Sequence, residues 1–536
     1  MSNAYDAIPY PTGAQSRLHI ENLHLCAFLN GFSPAEEETA RVLEIGCGNG
    51  FNLTPMAVEF PDAYFLGVDF ASSAVEAGND CISQLGLSNI ELRCADLRSL
   101  LSGDCLASLG EFDYIIAHGF YSWVGHDVRE AMWELVSRIL APHGILHLSY
   151  NALPGWYQAQ AVRDLAGLLS GEANDPPSEL DRVWDALGVF SEYADSGNVL
   201  AVEASRIRRF SKNVLFHDEL SAESKPFYLT DVVRRARAAG LRYVAEAGAP
   251  AISDLRNHSN VAQLVLDLSP DDLLLRLQLL DFTAMRRFHD TLFAREGHAP
   301  AKRHVVNKLL DCWARSDIRL VETVEGGARV FEHSGGVRLT SSHPMLCNLA
   351  AALEAAAPGS ISLGAFLAKM QESLPSPSPE LTLQFGHLIV RLRESGVLRL
   401  RLRNVPVARE VGTHPRVPPF TRVQAAVEKS APNCYHACMG VTEAWHRALL
   451  TLLDGTRSHN ELAEALADLT WQELNSAHGD PGGKTPRSIA PMFGFTESAT
   501  FSENPAQAQS RESLLSFYQE ELSGALTGFL RNAYLV

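Results

Sequence analysis

Val42-Leu43-Glu44-Ile45-Gly46-Cys47-Gly48-Asn49-Gly50 carries an apolar run into an acidic residue and then into three glycines at alternate positions. Such a run predicts a buried β-strand, a tight loop and the start of a helix. Glycine has no Cβ, so the backbone can come close to a bound molecule and can take positive φ where the chain turns sharply. The helix that follows offers N–H groups with no partner in its first turn. The spacing is Gly-x-Gly-x-Gly, whereas the dinucleotide fingerprint is Gly-x-Gly-x-x-Gly. A dinucleotide is therefore the less favoured ligand.

Working outward, Tyr64–Asp69 reads as a second strand, with Asp69 placed 23 residues after Gly46. A carboxylate at that offset can accept both hydroxyls of a ribose. Residues 90–97 read as a third strand ending in Asp96 and Leu97, 112–119 as a fourth ending in His118 and Gly119, and 144–151 as a fifth. Helical periodicity fills 51–60, 72–86 and 127–140. Alternating strands and helices imply right-handed crossovers and a parallel sheet, with ligands bound beyond the strands' carboxyl ends. Glu44, Asp69, Asp96 and His118 fall at or near four such ends.

The glycine loop, with Glu44 two residues ahead of Gly46, resembles motif I of the class I S-adenosylmethionine (SAM)-dependent methyltransferases. The resemblance implies SAM as cofactor. Glu44, Gly46, Cys47, Gly48, Gly50 and Asn52 would surround its amino acid part. Asp69 would accept the ribose hydroxyls, Asp96 would face the adenine amino group and His118 the methionine or adenine, with Phe70 and Leu97 also among the cofactor-binding residues.

A closer resemblance rests on longer motifs. Tyr5-Asp6-Ala7-Ile8-Pro9-Tyr10-Pro11, His118-Gly119-Phe120-Tyr121-Ser122-Trp123-Val124 and Ser149-Tyr150-Asn151-Ala152-Leu153-Pro154-Gly155-Trp156 are similar to one bacterial family. So are Phe216-His217-Asp218-Glu219-Leu220, and Leu280-Asp281-Phe282 followed by Arg286 to Leu292. These are large methyltransferases with a methyltransferase regulatory domain, among them lysine methyltransferases that modify bacterial outer-membrane proteins. The likeness covers residues 4–300 and is looser beyond. The family's N-terminal motif continues into Thr-His-Pro, where this chain has Leu18-His19-Ile20.

The acceptor is expected beyond the fourth and fifth strands. Tyr121 would orient an amine, Trp123 and Trp156 would hold a methylated cation, Asn151 would offer its carbonyl, and His217 would act from a helical cap. More modest roles exist for each. The tryptophans can simply pack their loops, His118 can be a hydrogen-bonded strand-end histidine, and His217-Asp218-Glu219 can cap a helix. The 5–11 segment is either a strap or a lid over the cofactor.

Bulk properties bound the rest. The 536 residues imply two to four domains. A net charge of −18 disfavours a nucleic-acid partner, since that affinity comes from Lys and Arg. The 9 cysteines show no paired framework, which suits a reducing cytoplasm. Neither a signal peptide nor a membrane-inserting apolar run of 18 residues is seen. Motifs of exocyclic-amine, cytosine-C5 and arginine methyltransferases are absent. No metal site is expected; Cys434-Tyr435-His436-Ala437-Cys438 comes nearest but lacks a second half.

The fold expected is α/β: a Rossmann-like seven-stranded class I methyltransferase domain with a helical cap insertion, plus a C-terminal α+β winged-helix-like region. Residues 1–165 would bind SAM and 166–300 would form the regulatory cap and complete the sheet. Residues 301–405 would be winged-helix-like and 406–536 helical. This last half reads as a scaffold, a homodimer surface or a substrate-docking surface. Arg399, Arg401 and Arg403 read as a solvated strand face. The function expected is methylation of a lysine in a protein substrate, with an outer-membrane protein as one candidate. The alternatives are a small-molecule methyltransferase and a catalytically silent SAM sensor.

Overall fold

The computed structural model describes residues 13–170, 176–193, 197–210, 212, 215, 218, 223–248, 259–297, 305–324, 326–372, 378–477 and 510–536. The chain divides into two compact units, one holding residues 20–305 and the other 13–19 with 306–536.

The first unit is built on a seven-stranded sheet in the order β3-β2-β1-β4-β5-β7-β6. Its strands are β1 (Arg41–Ile45), β2 (Tyr64–Asp69), β3 (Ile90–Cys94), β4 (Phe112–Ala117), β5 (Leu140–Asn151), β6 (Leu241–Glu246) and β7 (Phe288–Arg295). The central strands pair in parallel, with Leu43 opposite Leu66 and Ile115. β7 runs antiparallel to both β5 and β6. Leu43, Ile45, Leu146 and Leu148 feed the core on one face. Val42, Ile116, Ile145 and Leu292 feed the core on the other. The alternation follows from the two-residue period of a strand, and both faces are covered because crossover helices lie on each.

The helices form where apolar residues recur at helical spacing. In His126–Ile139, Ala131, Met132, Leu135, Val136 and Ile139 make the buried stripe. Ser72–Leu85 stops at Gly86, whose φ of 68° gives the left-handed cap. β3 is shorter than expected. It ends at Cys94, because the Asp96 carboxylate accepts the N–H of Arg98 and caps a short helix over Leu97–Leu101.

Between β5 and β6 lies a helical insertion: Tyr157–Ser170, Pro176–Ser191 and Val199–Ile207. It has its own core of Val162, Ala166, Val183, Leu187, Ala204 and Ile207. Buried Glu203 anchors it to the sheet by accepting from Arg287, just ahead of β7. Removing one partner of such a buried pair costs about 3–5 kcal/mol.

In the second unit, Arg319–Thr323, Arg329–Glu332 and Arg338–Ser341 form an antiparallel sheet. Helices Leu363–Gln371 and Pro379–Glu394 precede a strand, Arg399–Arg401, paired with Trp313–Arg315. The expectation of a solvated arginine face fails at Arg401, which is buried where its strand runs beside Trp313. The last helix, Arg511–Arg531, buries Leu514, Tyr518, Leu522 and Leu526 in the core that also takes in Leu462 and Leu466. The Tyr518 hydroxyl meets Thr470 Oγ1 at 2.7 Å. Among the described residues no helix is long and apolar enough to cross a membrane.

Candidate active site

The loop after β1 needs its glycines. Gly46, Gly48 and Gly50 have φ of 76°, 54° and 69°, which side chains rarely tolerate. The loop is pinned from β2: the N–H groups of Gly46 and Cys47 donate to the Val68 carbonyl at 2.8 and 3.2 Å. Asp69 fixes it further, taking the Gly48 N–H on Oδ2 at 2.8 Å and the Ala71 N–H on Oδ1 at 2.9 Å. Each carboxylate oxygen retains a second lone-pair direction, so the ribose role stays open to Asp69.

Glu44 is buried in the loop floor, and Asn52 Nδ2 donates to its Oε1 at 3.0 Å. Its Oε2 has no partner among the described residues. Burial pushes this carboxyl up to about 8; the Asn52 hydrogen bond pulls it down and the Asp69 charge pushes it up. A buried, half-satisfied carboxylate of this kind fits a cationic amino group. A cation there favours the ionised form, so binding releases a proton below about pH 8. SAM affinity should accordingly rise by up to about tenfold per pH unit between roughly pH 6 and 7.5. Calorimetry in buffers of different ionisation enthalpy reads the proton. Glu44→Gln should flatten the dependence, and a flat profile for the unaltered protein would remove Glu44 from the cation site.

The remaining SAM-side candidates divide. Phe70 stands exposed beside Asp69, with a free ring face. Asp96 is engaged by Arg98, whose Nε donates to Oδ1 and Oδ2 at 3.0 and 3.2 Å, and Arg98 also pairs with Asp127. An adenine amino group would share this carboxylate. Two side chains turn away from the loop surface. Leu97 joins the apolar core. Cys47 Sγ lies where a Cβ on Gly67 would meet it at 2.7 Å, and burial pushes its thiol far up. The side chains of both fill space beneath the loop, which leaves their backbone to meet a ligand.

The loops after β4 and β5 lock together. Phe120 lies against Gly46, where an added Cβ would meet it at 3.0 Å. Gly119 N–H donates to Ser149 Oγ at 3.0 Å and Asn151 N–H to Ser122 Oγ at 2.9 Å. Trp123 and Trp156 meet edge to face, their ring centroids 6.1 Å apart. Asn151 Nδ2 and Trp156 Nε1 are buried and have no hydrogen-bond partner among the described residues. Both are N–H donors, so what each lacks is an acceptor, and a buried donor left without one costs about 1–3 kcal/mol. His118 follows β4, with Nδ1 3.8 Å from Asp290 Oδ1. His217 and the 5–11 segment lie outside the described residues.

Tyr121 is not at a pocket surface. It is fully buried against Phe227, Trp133 and Tyr150, and its hydroxyl accepts from Trp133 Nε1 at 3.1 Å. Its ring supports the loop from below, which replaces the acceptor role expected for it. Tyr121→Phe should therefore cost about 1–3 kcal/mol of stability through the stranded Trp133 N–H. Turnover should stay within about twofold. A large loss of turnover at unchanged melting temperature would return Tyr121 to the chemistry.

Sequence reasoning missed Ser122, Ser149, His147 and Asp290. The signal for His147 was present: a histidine inside an apolar central strand needs a partner. That partner, Asp290 on β7, comes from 143 residues away.

Three family descriptions match the chain: "Methyltransferase domain" over residues 42–144, "Predicted methyltransferase regulatory domain" over 211–295, and "PKMT, C-terminal winged helix domain" over 414–484. The winged-helix match lies within the 406–536 segment expected to be helical. Its described part has helices Pro419–Val427, Ala444–Leu452 and His459–Ala477 around a hairpin of Ser430–Pro432 and Cys438–Gly440. Uncharacterized protein RP028 of Rickettsia prowazekii is 30% identical over 239 residues, covering 44% of this chain and 94% of that protein. Uncharacterized protein RP789 of the same organism is 32% identical over 299 residues, 54% of this chain. The chain spans about half the length of RP789, at 52%. The structure of PKMT2 from Rickettsia typhi superposes with a TM-score of 0.78 at 21% identity, covering 98% of this chain and all of that one. The same protein has been solved in complex with AdoHcy. That likeness is one of fold.

Proposed function

We propose, for a chain that belongs to the class I SAM-dependent methyltransferases carrying a methyltransferase regulatory domain, a reaction at the ε-amine of a lysine in a protein. One observation carries the reading. Beyond β4 and β5 the loops lock together and set Trp123 and Trp156 edge to face, aromatic surface of the kind that holds an alkylated ammonium. SAM supplies an electrophilic methyl group on a sulfonium. The chain's own residues do the rest. Glu44, Asn52 and Asp69 hold and orient the donor. The locked loops exclude water and position the amine, and positioning can supply on the order of 7–11 kcal/mol. Burial favours the neutral amine that attacks. The tryptophan faces favour an alkylated ammonium by about 0.5–2 kcal/mol.

The PKMT winged-helix match, and the fold shared with a protein named PKMT2, for protein lysine methyltransferase, support a protein acceptor. The motif resemblance extends the proposal to outer-membrane proteins as the acceptor class. Transfer of labelled methyl from SAM into host-cell lysate tests it, with label divided between protein and small-molecule fractions. Label in a protein band is the expected result. Label confined to small molecules would replace the reading with a small-molecule methyltransferase, and no transfer to any acceptor would favour a sensor.

A further inference from the structure

A polar cluster lies on one face of the sheet below the acceptor loops, and donor binding makes no use of most of it. His147 is wholly buried in β5, and its Nε2 is 3.1 Å from Asp290 Oδ1 on β7. His118 Nδ1 approaches the same oxygen at 3.8 Å, and the two imidazole centroids are 6.0 Å apart. Register explains the meeting. His147 pairs with Leu292, Ser149 with Asp290 and Asn151 with Phe288, so alternate residues of both strands share this face. His289, one residue from Asp290, points the opposite way, where Asp281 and Glu246 hold it at 3.0 and 3.1 Å. His147 and His289 therefore lie on opposite faces, and Glu246 Oε2 touches both groups, meeting His289 Nδ1 and the Asp290 N–H each at 3.1 Å.

His147 and Asp290 make a buried pair, and His118 stands at its outward end. The His118 ring is partly exposed, at 16%. It stands directly after β4, against Phe288, the register partner of Asn151. Titratable groups beside it include Asp290 on β7 and His147 on β5. Glu246 of β6 reaches the cluster by accepting the Asp290 N–H at 3.1 Å. The helix Ile20–Leu29, packed on β5 and β6, brings buried Glu21 and His24, with His24 Nδ1 2.7 Å from Glu37.

We propose that His118 accepts the proton of the acceptor amine, with Asp290 as the carboxylate that faces and orients its ring and His147 as the residue that holds Asp290 in place. This rests on the lysine reading above. A lysine reaches the site as an ammonium, and methyl transfer needs the nitrogen lone pair. The N–H bond breaks and the proton passes to a neutral imidazole nitrogen of His118. The freed lone pair forms the N–C bond as the methyl–sulfur bond breaks, and sulfur keeps that pair. His118 then returns the proton to solvent through its exposed edge, one proton per methyl transferred. A carboxylate within 4–6 Å favours the charged imidazole, which is what a proton acceptor in this place requires.

The test uses the full chain, labelled SAM and host-cell lysate protein, counting label recovered as methyllysine across about pH 7 to 10. His118→Asn should be slower by about 100-fold at pH 7, the usual scale for losing a positioned base. Its rate should climb with pH toward that of the unaltered protein as free amine becomes abundant. Asp290→Asn should shift the profile the same way by a smaller factor. Melting temperature and S-adenosylhomocysteine affinity, measured on both, identify the variants that are folded and loaded, and the profile of either one decides. Methyllysine from the unaltered protein, with a uniform rate loss or none and an unmoved pH profile in the folded variant, would overturn the inference and leave the lysine reading standing. No methyllysine from the unaltered protein would overturn the lysine reading and this inference with it.

Discussion

Asp69→Ala should weaken SAM binding by at least about 100-fold. The Asp69 carboxylate accepts from two backbone N–H groups, Gly48 at 2.8 Å and Ala71 at 2.9 Å. Hydrogen bonds to a charged acceptor are each worth about 1.5–3 kcal/mol, and a factor of ten in affinity needs only about 1.4 kcal/mol. Losing both releases a loop whose three positive-φ glycines give it little reason to keep its shape. The ribose hydroxyls lose their proposed acceptor at the same time. Calorimetry with SAM measures the sum, and a 2′-deoxy analogue separates its parts. If the ribose contact exists, the variant loses less affinity for the analogue than for the parent. Unchanged affinity for SAM would overturn the assignment of Asp69.

Gly78→Ala is expected to do the opposite of what helix propensity suggests. Gly78 lies in the helix Ser72–Leu85, where glycine is usually worse than alanine by about 0.5–1 kcal/mol. Here an added Cβ would collide with the backbone carbonyl of Asn49, in the glycine loop, and with the Leu92 side chain. Backbone cannot yield as the end of a side chain can. Overpacking of this kind costs about 1–3 kcal/mol. We expect a lower melting temperature together with SAM affinity reduced by about tenfold or more, from a residue with no assigned contact to the ligand. A stabilised variant with normal affinity would mean that the helix does not buttress the loop.

The sheet was legible because its strands announce themselves. Val42–Ile45 and Tyr64–Val68 are almost wholly apolar, as strands buried on both faces must be, and an acidic residue marks where Tyr64–Asp69 ends. That 166–300 completes the sheet was also legible, although the insertion between β5 and β6 separates the last two strands from the first five. Tyr121 was misread because its surroundings come from elsewhere. Trp133 and Phe227 bury it, and no local pattern tells a tyrosine under a loop from one on it. For Leu97 and Cys47, whose side chains are buried, the motif names positions without saying whether side chain or backbone meets the ligand. In the second unit the winged-helix match falls at 414–484, in the part read from sequence as helical. Its hairpin strands, Ser430–Pro432 and Cys438–Gly440, span three residues each, too few to show a two-residue period. Helix–helix–strand order recurs at 363–401, and periodicity alone cannot choose between the two.

The most direct measurement is the identity of the methylated residue. Protein labelled from SAM is hydrolysed to amino acids and the labelled product identified. Mono-, di- or trimethyllysine is the expected product, absent from the Asp69→Ala control. Label lost to mild base, as from a carboxyl ester, or recovered on arginine, would contradict lysine methylation and send the Trp123–Trp156 site back to an acceptor of different chemistry.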